Sequence, residues 1–331
     1  MKKNILSLCL ILPSSLLLSA CGGSSDSAQP PSKTAVQKAL ESGDASLVSN
    51  ANEFIDASQA LAGQYKSDYN QVKQSLSKNS DGTPLRNLHW DPTHDAAIIL
   101  PTYGFNDVIL QTNKAMQSGY TDQELAIGIA GYASSGSRYA ALASNPFRTK
   151  QRSTDSVNTE MEVWLKNLVG WASGTSSPKN VVLAQMDQSY YFPDDKATRS
   201  WLTSNINPSM VINDGNACDG SKLSQCIEKN NPDLLILSQK LNDGDEINDV
   251  MTGLRLAFNK KIPVLYLHLD GGMTDLGNAL FAEMHMTYVG DNYWHRLGLS
   301  NWDSTQLINR MPDNIVKQQA LLQRLKLDSF T

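Results

Sequence analysis

Short apolar runs alternate with amphipathic stretches of helical period from Asp95 onward, and this alternation restricts the fold more than any other feature of the sequence. Several runs are apolar at consecutive positions, such as VVLA at 181–184, LLIL at 234–237 and VLYL at 264–267. Central parallel strands covered by helices on both faces have this composition, whereas half-exposed strands alternate apolar and polar residues. The pattern predicts an α/β domain with an open, mostly parallel sheet, Rossmann-like or amidotransferase-like in architecture.

The predicted strands and helices follow one another at short intervals. Strands are expected at residues 96–100, 138–143, 180–186, 210–213, 233–238, 264–270 and 287–290. Two helices carry apolar residues at positions i, i+3, i+4, i+7 and i+11, namely Met161, Trp164, Leu165, Leu168 and Ala172 in one and Ile247, Val250, Met251, Leu254 and Phe258 in the other. One face of each helix is therefore expected to be buried against the sheet.

The segment before this domain is predicted to be helical. Apolar residues between 34 and 77 recur at mixed three- and four-residue spacings, and Ser42-Gly43-Asp44 interrupts them, which indicates two or three short helices. The polar loop KNSDGTP at 78–84 marks the expected boundary. The predicted organisation is a small helical segment at 34–84 followed by the α/β domain at 85–331.

Residues 1–20 have the features of a bacterial export signal. Lys2 and Lys3 precede a fourteen-residue apolar stretch at 5–18, which is too short for a comfortable membrane span. The sequence LSAC at 18–21 resembles the lipobox of bacterial lipoproteins, which implies cleavage after residue 20 and a diacylglycerol on Cys21. Gly22 resembles the residue found there in lipoproteins that are passed to the outer membrane. An ordinary signal peptide with an incidental cysteine is the alternative.

The expected location is therefore the bacterial cell envelope. A lipid on Cys21 would hold the protein to the membrane, on either the periplasmic face or the surface. Residues 21–33 are rich in Gly, Ser and Pro, so we expect a flexible tether between the anchor and the folded part.

Two further cysteines, Cys218 and Cys226, remain in the mature chain. An oxidising periplasm favours a disulfide between them. Two free thiols or half of a metal site are the alternatives, although the spacing is too long for a CxxC motif and no histidine lies near in sequence.

Charge and motifs exclude several classes of function. The chain is acidic, with a formal net charge of −5, so general affinity for nucleic acid is not expected. None of its five histidines is followed by glutamate, so the HExxH motif of zinc peptidases is missing. The sequence also lacks GxSxG, GxGxxG and GxxxxGK followed by Ser or Thr, and GYASSG at 131–136 is interpreted as a helix ending in a turn. No catalytic residue, metal or cofactor is predicted.

A candidate ligand-binding edge follows from the positions of two predicted strands. Asp187 comes directly after the strand at 180–186, and Asp270-Gly271 ends the strand at 264–270. Open α/β sheets place ligands at the carboxyl ends of their strands, so these aspartates are candidates to bind a sugar, a cation or a peptide amine. The alternative is that Asp and Gly serve only to form tight turns.

An aromatic, acidic loop adds a candidate contact surface beside this edge. YYFPDD at 190–195 precedes a predicted helix that carries Arg199 and Trp201. Exposed aromatic side chains beside polar groups suit saccharides and partner proteins. The alternative is that these aromatic residues fold inward as part of the core.

Several stretches together resemble one known family. They are GSRYAA at 136–141 with NP at 145–146, LVGWASG at 168–174, AQMDQSYYFPDDKATRSWL at 184–202, NACDG at 216–220 with Cys226, and PDLLIL at 232–237. The combination resembles the N-terminal region of the large enhancin-like, mucin-degrading metallopeptidase lipoproteins, which include the immunomodulating metalloprotease and accessory colonisation factor types.

The resemblance implies an accessory module, because that family carries its HExxH zinc domain downstream of this region. Our first hypothesis is a non-catalytic lipoprotein module that binds glycoprotein, glycan or a partner protein. The second is a truncated or split component of a mucin-degrading zinc metallopeptidase. The third is a hydrolase of another kind that uses Asp187, Asp270 or His268 at the sheet edge.

Overall fold

The computed structural model describes most of the chain from residue 50 to residue 310. The described residues are 34–35, 38, 47–48, 50–92, 96–102, 105–115, 125–133, 135–150, 156–188, 193–213, 217–269, 272–289, 297–310, 316–317, 320–321 and 323–324. The predictions for the signal peptide, the tether, Cys21, Asp270 and Gly271 concern residues outside these ranges.

Six α-helices and thirteen strands have both of their ends within the described ranges. The helices are α1 (Ala51–Leu76), α2 (Thr159–Ser173), α3 (Asp194–Asn205), α4 (Leu223–Asn230), α5 (Ile247–Asn259) and α6 (Asp275–Glu283). The strands are β1 (Leu88–Asp91), β2 (Ile99–Pro101), β3 (Phe105–Gln111), β4 (Lys114–Ala115), β5 (Ala126–Tyr132), β6 (Arg138–Leu142), β7 (Ser156–Val157), β8 (Asn180–Ala184), β9 (Val211–Asn213), β10 (Leu234–Leu237), β11 (Val264–Leu267), β12 (Met286–Tyr288) and β13 (Leu297–Trp302).

The main sheet has seven strands in the order β3-β5-β6-β11-β10-β8-β9. Five of them, β6, β11, β10, β8 and β9, run parallel to one another. The central residues of the first four are buried, whereas the edge strand β9 is partly exposed. The open, mostly parallel sheet predicted from the apolar runs is confirmed. Strands β3, β5 and β6 form an antiparallel extension at one edge, which the sequence did not indicate.

The segment at residues 131–136 is part of this extension. Tyr132 ends β5, and Gly136, with φ of 80°, turns the chain into β6, where Ala133 N–H donates to Ser137 O at 2.8 Å. The expected helix is therefore wrong, because a strand ends here, whereas the expected turn is present at Ser135 and Gly136. A positive φ favours glycine at this place, which explains the sequence signal for a turn.

Two of the predicted strands belong to a separate small sheet. β2 and β12 pair antiparallel with each other, with Ile99 opposite Tyr288, and neither joins the main sheet. A third sheet has four strands in the order β4-β13-β1-β7.

Helices cover the sheet as their apolar phases predict. The five phased residues of α2 are all buried, and in α5 Val250, Met251, Leu254 and Phe258 are buried. Asn158 caps the start of α2 by accepting from Met161 N–H, and Gly174 ends it in the left-handed region. α1 packs on α2, while α4, α5 and α6 pack next to one another.

The N-terminal helical prediction needs a correction. Residues 51–76 form one continuous helix of 26 residues where shorter helices were expected. This stretch contains no proline, and its one glycine, Gly63, is tolerated in a helix interior at a cost of about 1 kcal/mol. Lys73 of α1 forms a buried ion pair with Asp107 of β3. The predicted break at 42–44 lies outside the described residues.

Among the helices that the structure describes, none combines the length and apolar character needed to cross a membrane.

Candidate ligand-binding site

The carboxyl ends of β8 and β10 lie side by side where the chain reverses its direction across the main sheet. From β8 the chain passes to β9 on one side, and it then returns to β10 and β11 on the other side of β8. In open α/β sheets, ligands bind in the crevice outside the strand ends at such a switch point. The residues that follow β8 and β10 are therefore the candidates to form a ligand site.

A hydrogen-bonded network of four polar side chains occupies this edge. Gln185, directly after β8, donates from its backbone N–H to Asp219 Oδ1 at 2.7 Å and from Nε2 to Asp245 Oδ2 at 3.1 Å. Asn242 donates from Nδ2 to Asp219 Oδ2 at 3.1 Å and to Asp245 Oδ2 at 3.3 Å. The network joins the loops that follow β8, β9 and β10.

The backbone around the network has an uncommon conformation. Gln185 is buried and has φ of 55°, which is unfavourable for a residue with a side chain. Its side-chain amide donates to Lys240 O, and its Oε1 accepts from Gly220 N–H at 2.6 Å. Gly220 also has a positive φ of 54°, and a Cβ there would overlap the Asp245 carboxylate. Strained residues held by many contacts are frequent at ligand sites, so the outlier supports a functional reading of this edge.

Burial changes the protonation of the network. Desolvation raises the pKa of Asp219 to about 6, and the nearby negative charges of Asp245 and Asp195 act in the same direction. The hydrogen bonds from Gln185 and Asn242 oppose this increase because they stabilise the carboxylate. Desolvation likewise raises the pKa of Asp195, and Lys196 and Arg199 oppose it.

The disulfide lies directly beside the network. Cys218 precedes Asp219 in the chain and is bonded to Cys226 of α4, with a Cα–Cα distance of 5.3 Å. Both cysteines are buried. The predicted pairing is confirmed, and it fixes the loop that carries Asp219 onto α4.

The residues predicted for the edge are placed as follows. Asp187 is half-buried at the carboxyl end of β8, and its backbone carbonyl accepts from Asp195 N–H at 3.3 Å. Arg199 lies one helical turn after Asp195 on α3, and its Nη1 is 3.5 Å from the carbonyl oxygen of Ile212 in β9. Arg199 therefore contacts the edge strand of the sheet, while Asp187 lies at the switch point. Asp270 and Gly271 lie outside the described residues.

Sequence reasoning missed the four residues of the network. Gln185 and Asn242 were not singled out, and Asp219 was noted only as part of the NACDG stretch. Asp245 lies in the sequence NDGD at 242–245, which is a turn signal that could have identified this loop after β10. The end of the predicted strand indicated where the site lies, but no local feature of the sequence shows which loop residues contact one another.

A second buried polar group follows β6. Arg148 forms an ion pair with Asp194, with Nε 3.4 Å from Oδ1, and donates from Nη2 to Ser144 Oγ at 2.8 Å. Asn145 Nδ2 donates to the same Asp194 oxygen at 2.6 Å. Nearby, Trp201 is fully buried and packs on Phe147, with ring centroids 4.5 Å apart. Trp201 is therefore core, and the aromatic residues at 190–192 are outside the described residues.

In the described part of the chain, no group of three or more His, Cys, Asp and Glu side chains is placed to hold a metal ion. His268 is buried at the end of β11, with Nδ1 3.1 Å from the Tyr266 hydroxyl. His285 lines a cavity of about 650 Å³ between α5 and α6, and Glu283 there is paired with Arg255 at 2.9 Å. Burial lowers the pKa of His285, and the charge of Glu283 acts in the opposite direction.

The fold and this edge define an α/β domain with a polar candidate site at the switch point of its sheet. The sequence model of the immunomodulating metalloprotease N-terminal domain matches residues 114–293, which is more than half of the chain. The chain belongs to this family. No curated protein and no solved structure matches it. The matched region includes β8, β9 and β10, the disulfide and all four residues of the network.

Proposed function

We propose that this chain is a non-catalytic, lipid-anchored module of the immunomodulating metalloprotease family that binds glycoprotein, glycan or a partner protein at the carboxyl ends of β8 and β10. The observation that carries the proposal is the network of Gln185, Asp219, Asn242 and Asp245 at the switch point. Three separate loops converge there, and ligands of open α/β sheets bind at this position.

The chemistry of the edge favours a ligand that brings hydrogen-bond donors. Asn242, Asp245, Asp187 and Asp195 are half-buried, so part of each remains accessible. These side chains offer carboxylate and amide oxygens, which accept from hydroxyl, amide and amine groups. Both oxygens of Asp219 accept hydrogen bonds within the protein, which supports a role for that carboxylate in holding the loops together.

Binding can be tested with the whole mature chain on immobilised mucin, with and without enzymatic removal of its glycans. We expect Asp187→Ala and Asn242→Ala each to lower affinity by about tenfold, which corresponds to about 1.4 kcal/mol. Asn259→Ala is the matched control, because Asn259 is exposed at the end of α5, near the amino end of β11 and not the carboxyl ends of the strands. Thermal unfolding would show that each variant is folded. Unchanged binding by both folded edge variants would remove this edge from the proposal, and no binding by the wild-type chain would count against the module itself.

The membrane part of the proposal rests on LSAC at 18–21 and the preceding apolar stretch. Mass spectrometry of the native protein should find an acylated Cys21 as the first residue, and Cys21→Ser should yield protein without lipid. An unmodified N-terminus at another position would contradict the anchor at the outer membrane.

The family match also favours a second candidate, in which the chain is a truncated or split component of a zinc metallopeptidase. This candidate places the zinc domain either downstream of this region or in another chain. Co-purification of the native protein with a polypeptide that contains HExxH, together with chelator-sensitive digestion of mucin by the complex, would support it over the independent module.

A further inference from the structure

A second cleft lies at the opposite edge of the main sheet, at Trp171. Helices α2 and α3 end beside it, at Ser173 and Asn205, and β8 begins close by at Asn180. The cleft is therefore at the amino ends of the parallel strands. It encloses about 400 Å³, within the range of roughly 300–1,000 Å³ that is usual for small-molecule sites.

The indole of Trp171 is held in one orientation. The Arg138 guanidinium lies over one face of the ring, 5.7 Å from its centroid, and donates from Nη1 to Trp171 O at 2.7 Å. Tyr132 contacts the ring edge-on, with centroids 6.4 Å apart and an interplanar angle of 83°. Trp171 is half-buried, and its accessible part borders the cleft. Such a rigid, partly exposed aromatic group loses little entropy when a ligand packs on it.

The polar groups around the cleft are mainly hydrogen-bond acceptors. Asn167 uses its Nδ2 to donate to Leu76 O and Lys78 O, and Asn205 uses its Nδ2 to donate to Trp201 O. These bonds hold both amides in place, and no described residue donates to either Oδ1 atom. Ser176 adds an exposed hydroxyl. The cleft can therefore accept several hydrogen bonds from a ligand that brings donors.

The charge of the cleft further restricts the class of ligand that it can bind. Lys166 lines it and supplies a cation, and the described lining contains no carboxylate, so a cationic ligand is disfavoured. A pyranose ring combines an apolar C–H face, which packs on an indole, with hydroxyl donors around its rim. It also has ring and hydroxyl oxygens that accept from an ammonium group.

We propose that the cleft at Trp171 binds a hexose or N-acetylhexosamine residue of a glycan. The indole packs against the C–H face of the sugar, Asn167 and Asn205 accept from its hydroxyl groups, and Lys166 donates to a sugar oxygen. This site is separate from the β8/β10 edge. It accounts for the LVGWASG stretch, in which Gly170 and Trp171 line the cleft and Gly174 ends the helix.

Gly170 provides a variant that fills the cleft and a matched control. A Cβ added at Gly170 would lie 3.8 Å from its nearest neighbours, Ser176 Cα and Thr175 O, so Gly170→Ala fits without displacement. The larger side chain of Gly170→Leu would extend into the cleft. Alanine and leucine are also better helix formers than glycine, so neither change is expected to weaken α2.

The test is titration of the whole ¹⁵N-labelled chain with methyl glycosides of glucose, galactose, N-acetylglucosamine and N-acetylgalactosamine, followed by NMR of the indole N–H signals. At least one glycoside should shift the Trp171 signal, which is assigned by its loss in Trp171→Phe. Gly170→Leu should lower the affinity by at least about tenfold, and Gly170→Ala by less than about twofold. No shift of the Trp171 signal by any glycoside, or equal binding by Gly170→Leu and wild type, would overturn the proposal.

The same titration distinguishes this site from the proposed function at the other edge. Asn242→Ala should leave the Trp171 shift unchanged, because Asn242 lies beyond the carboxyl ends of the strands. Loss of glycoside binding in Asn242→Ala but not in Gly170→Leu would place the sugar at the β8/β10 edge, which would overturn the assignment to Trp171 while sparing the proposed function.

Discussion

The side-chain carbonyl of Gln185 accepts a hydrogen bond from the backbone N–H of Gly220 at 2.6 Å. This contact joins the end of β8 to the turn that follows the disulfide, and it requires the chain at Gly220 to pass close to the Asp245 carboxylate. The geometry of the candidate edge thus depends on glycine at position 220, where a side chain would not fit.

Gly220→Ala should be clearly destabilising. Its φ of 54° is unfavourable for alanine, and the new Cβ would displace Asp245 and so break the contacts of that carboxylate with Gln185 and Asn242. We expect a loss of about 2–3 kcal/mol in the free energy of unfolding. Gly82→Ala is the control, because Gly82 has a similar φ of 83° but no atom within 4 Å of the added Cβ. Urea unfolding of both variants measures the difference, and equal losses would mean that only the backbone conformation matters.

Asp219 should make stability depend on pH between about 4 and about 6. Its pKa is raised by burial to about 6 in the folded chain, so the folded state holds this proton more tightly than the unfolded state does. The stabilising contribution is therefore greatest at low pH and is lost as pH rises through about 6. The asparagine in Asp219→Asn does not titrate, so this variant should not lose that contribution. As the pH rises from 4.5 to 7.5, the free energy of unfolding of Asp219→Asn should therefore increase relative to that of wild type by on the order of 1 kcal/mol, a value reduced for partial solvent screening. Thermal unfolding of both proteins across this range tests the prediction, and parallel pH profiles would contradict it.

The sequence predicts the centre of the sheet well and its antiparallel edge poorly, for a physical reason. β8, β10 and β11 are buried on both faces, so their composition alone identifies them. β5 reads AIGIAGY, and its glycines weaken the strand signal. In the fold, a Cβ at Gly128 would lie 2.8 Å from Leu110 Cβ, so the glycine permits close approach of β3.

The sequence predicted where the candidate site lies but not which residues form its network. Asp187 does lie at the carboxyl end of β8, because the strand could be located from its apolar residues. The network itself unites residues from 185 to 245 through loops after three different strands, and these contacts depend on the order of strands in the sheet. That order is a tertiary property which no local pattern encodes.

The buried ion pair between Lys73 and Asp107 should matter far more than an exposed pair. Both side chains are almost inaccessible, and Lys73 Nζ also donates to Arg310 O at 2.8 Å. Lys73→Met would leave a buried carboxylate without this cation, at an expected cost of about 3–5 kcal/mol. Arg86→Met, which breaks the exposed pair with Asp303, should cost at most about 1 kcal/mol. Chemical unfolding of the two variants provides the comparison, and similar small losses would show that the buried pair contributes little.

Reduction of the Cys218–Cys226 disulfide should weaken the protein without unfolding it. The bond closes a short loop, with a sequence separation of 8, and the chain-entropy estimate for such a loop is about 2.5 kcal/mol. Cys218, Leu223 and Cys226 belong to the buried core, but the strands of the main sheet lie outside this loop. Cys218→Ser with Cys226→Ser should therefore lower the melting temperature while the far-ultraviolet circular dichroism at 25 °C stays unchanged. Loss of the folded spectrum would show that the disulfide supports the whole domain.

The purified chain should bind no stoichiometric zinc and should not cleave mucin or casein at neutral pH. A zinc ion that activates water needs about three converging protein ligands and a general base. His268 is hydrogen-bonded to Tyr266 in the interior. His285 lines the cavity between α5 and α6, where Glu283 is paired with Arg255. Metal analysis after dialysis, combined with digestion assays with and without a chelator, tests this prediction. Zinc near one per chain together with chelator-sensitive cleavage would contradict the non-catalytic proposal, and variants of His268 and His285 would then show which histidine binds the metal.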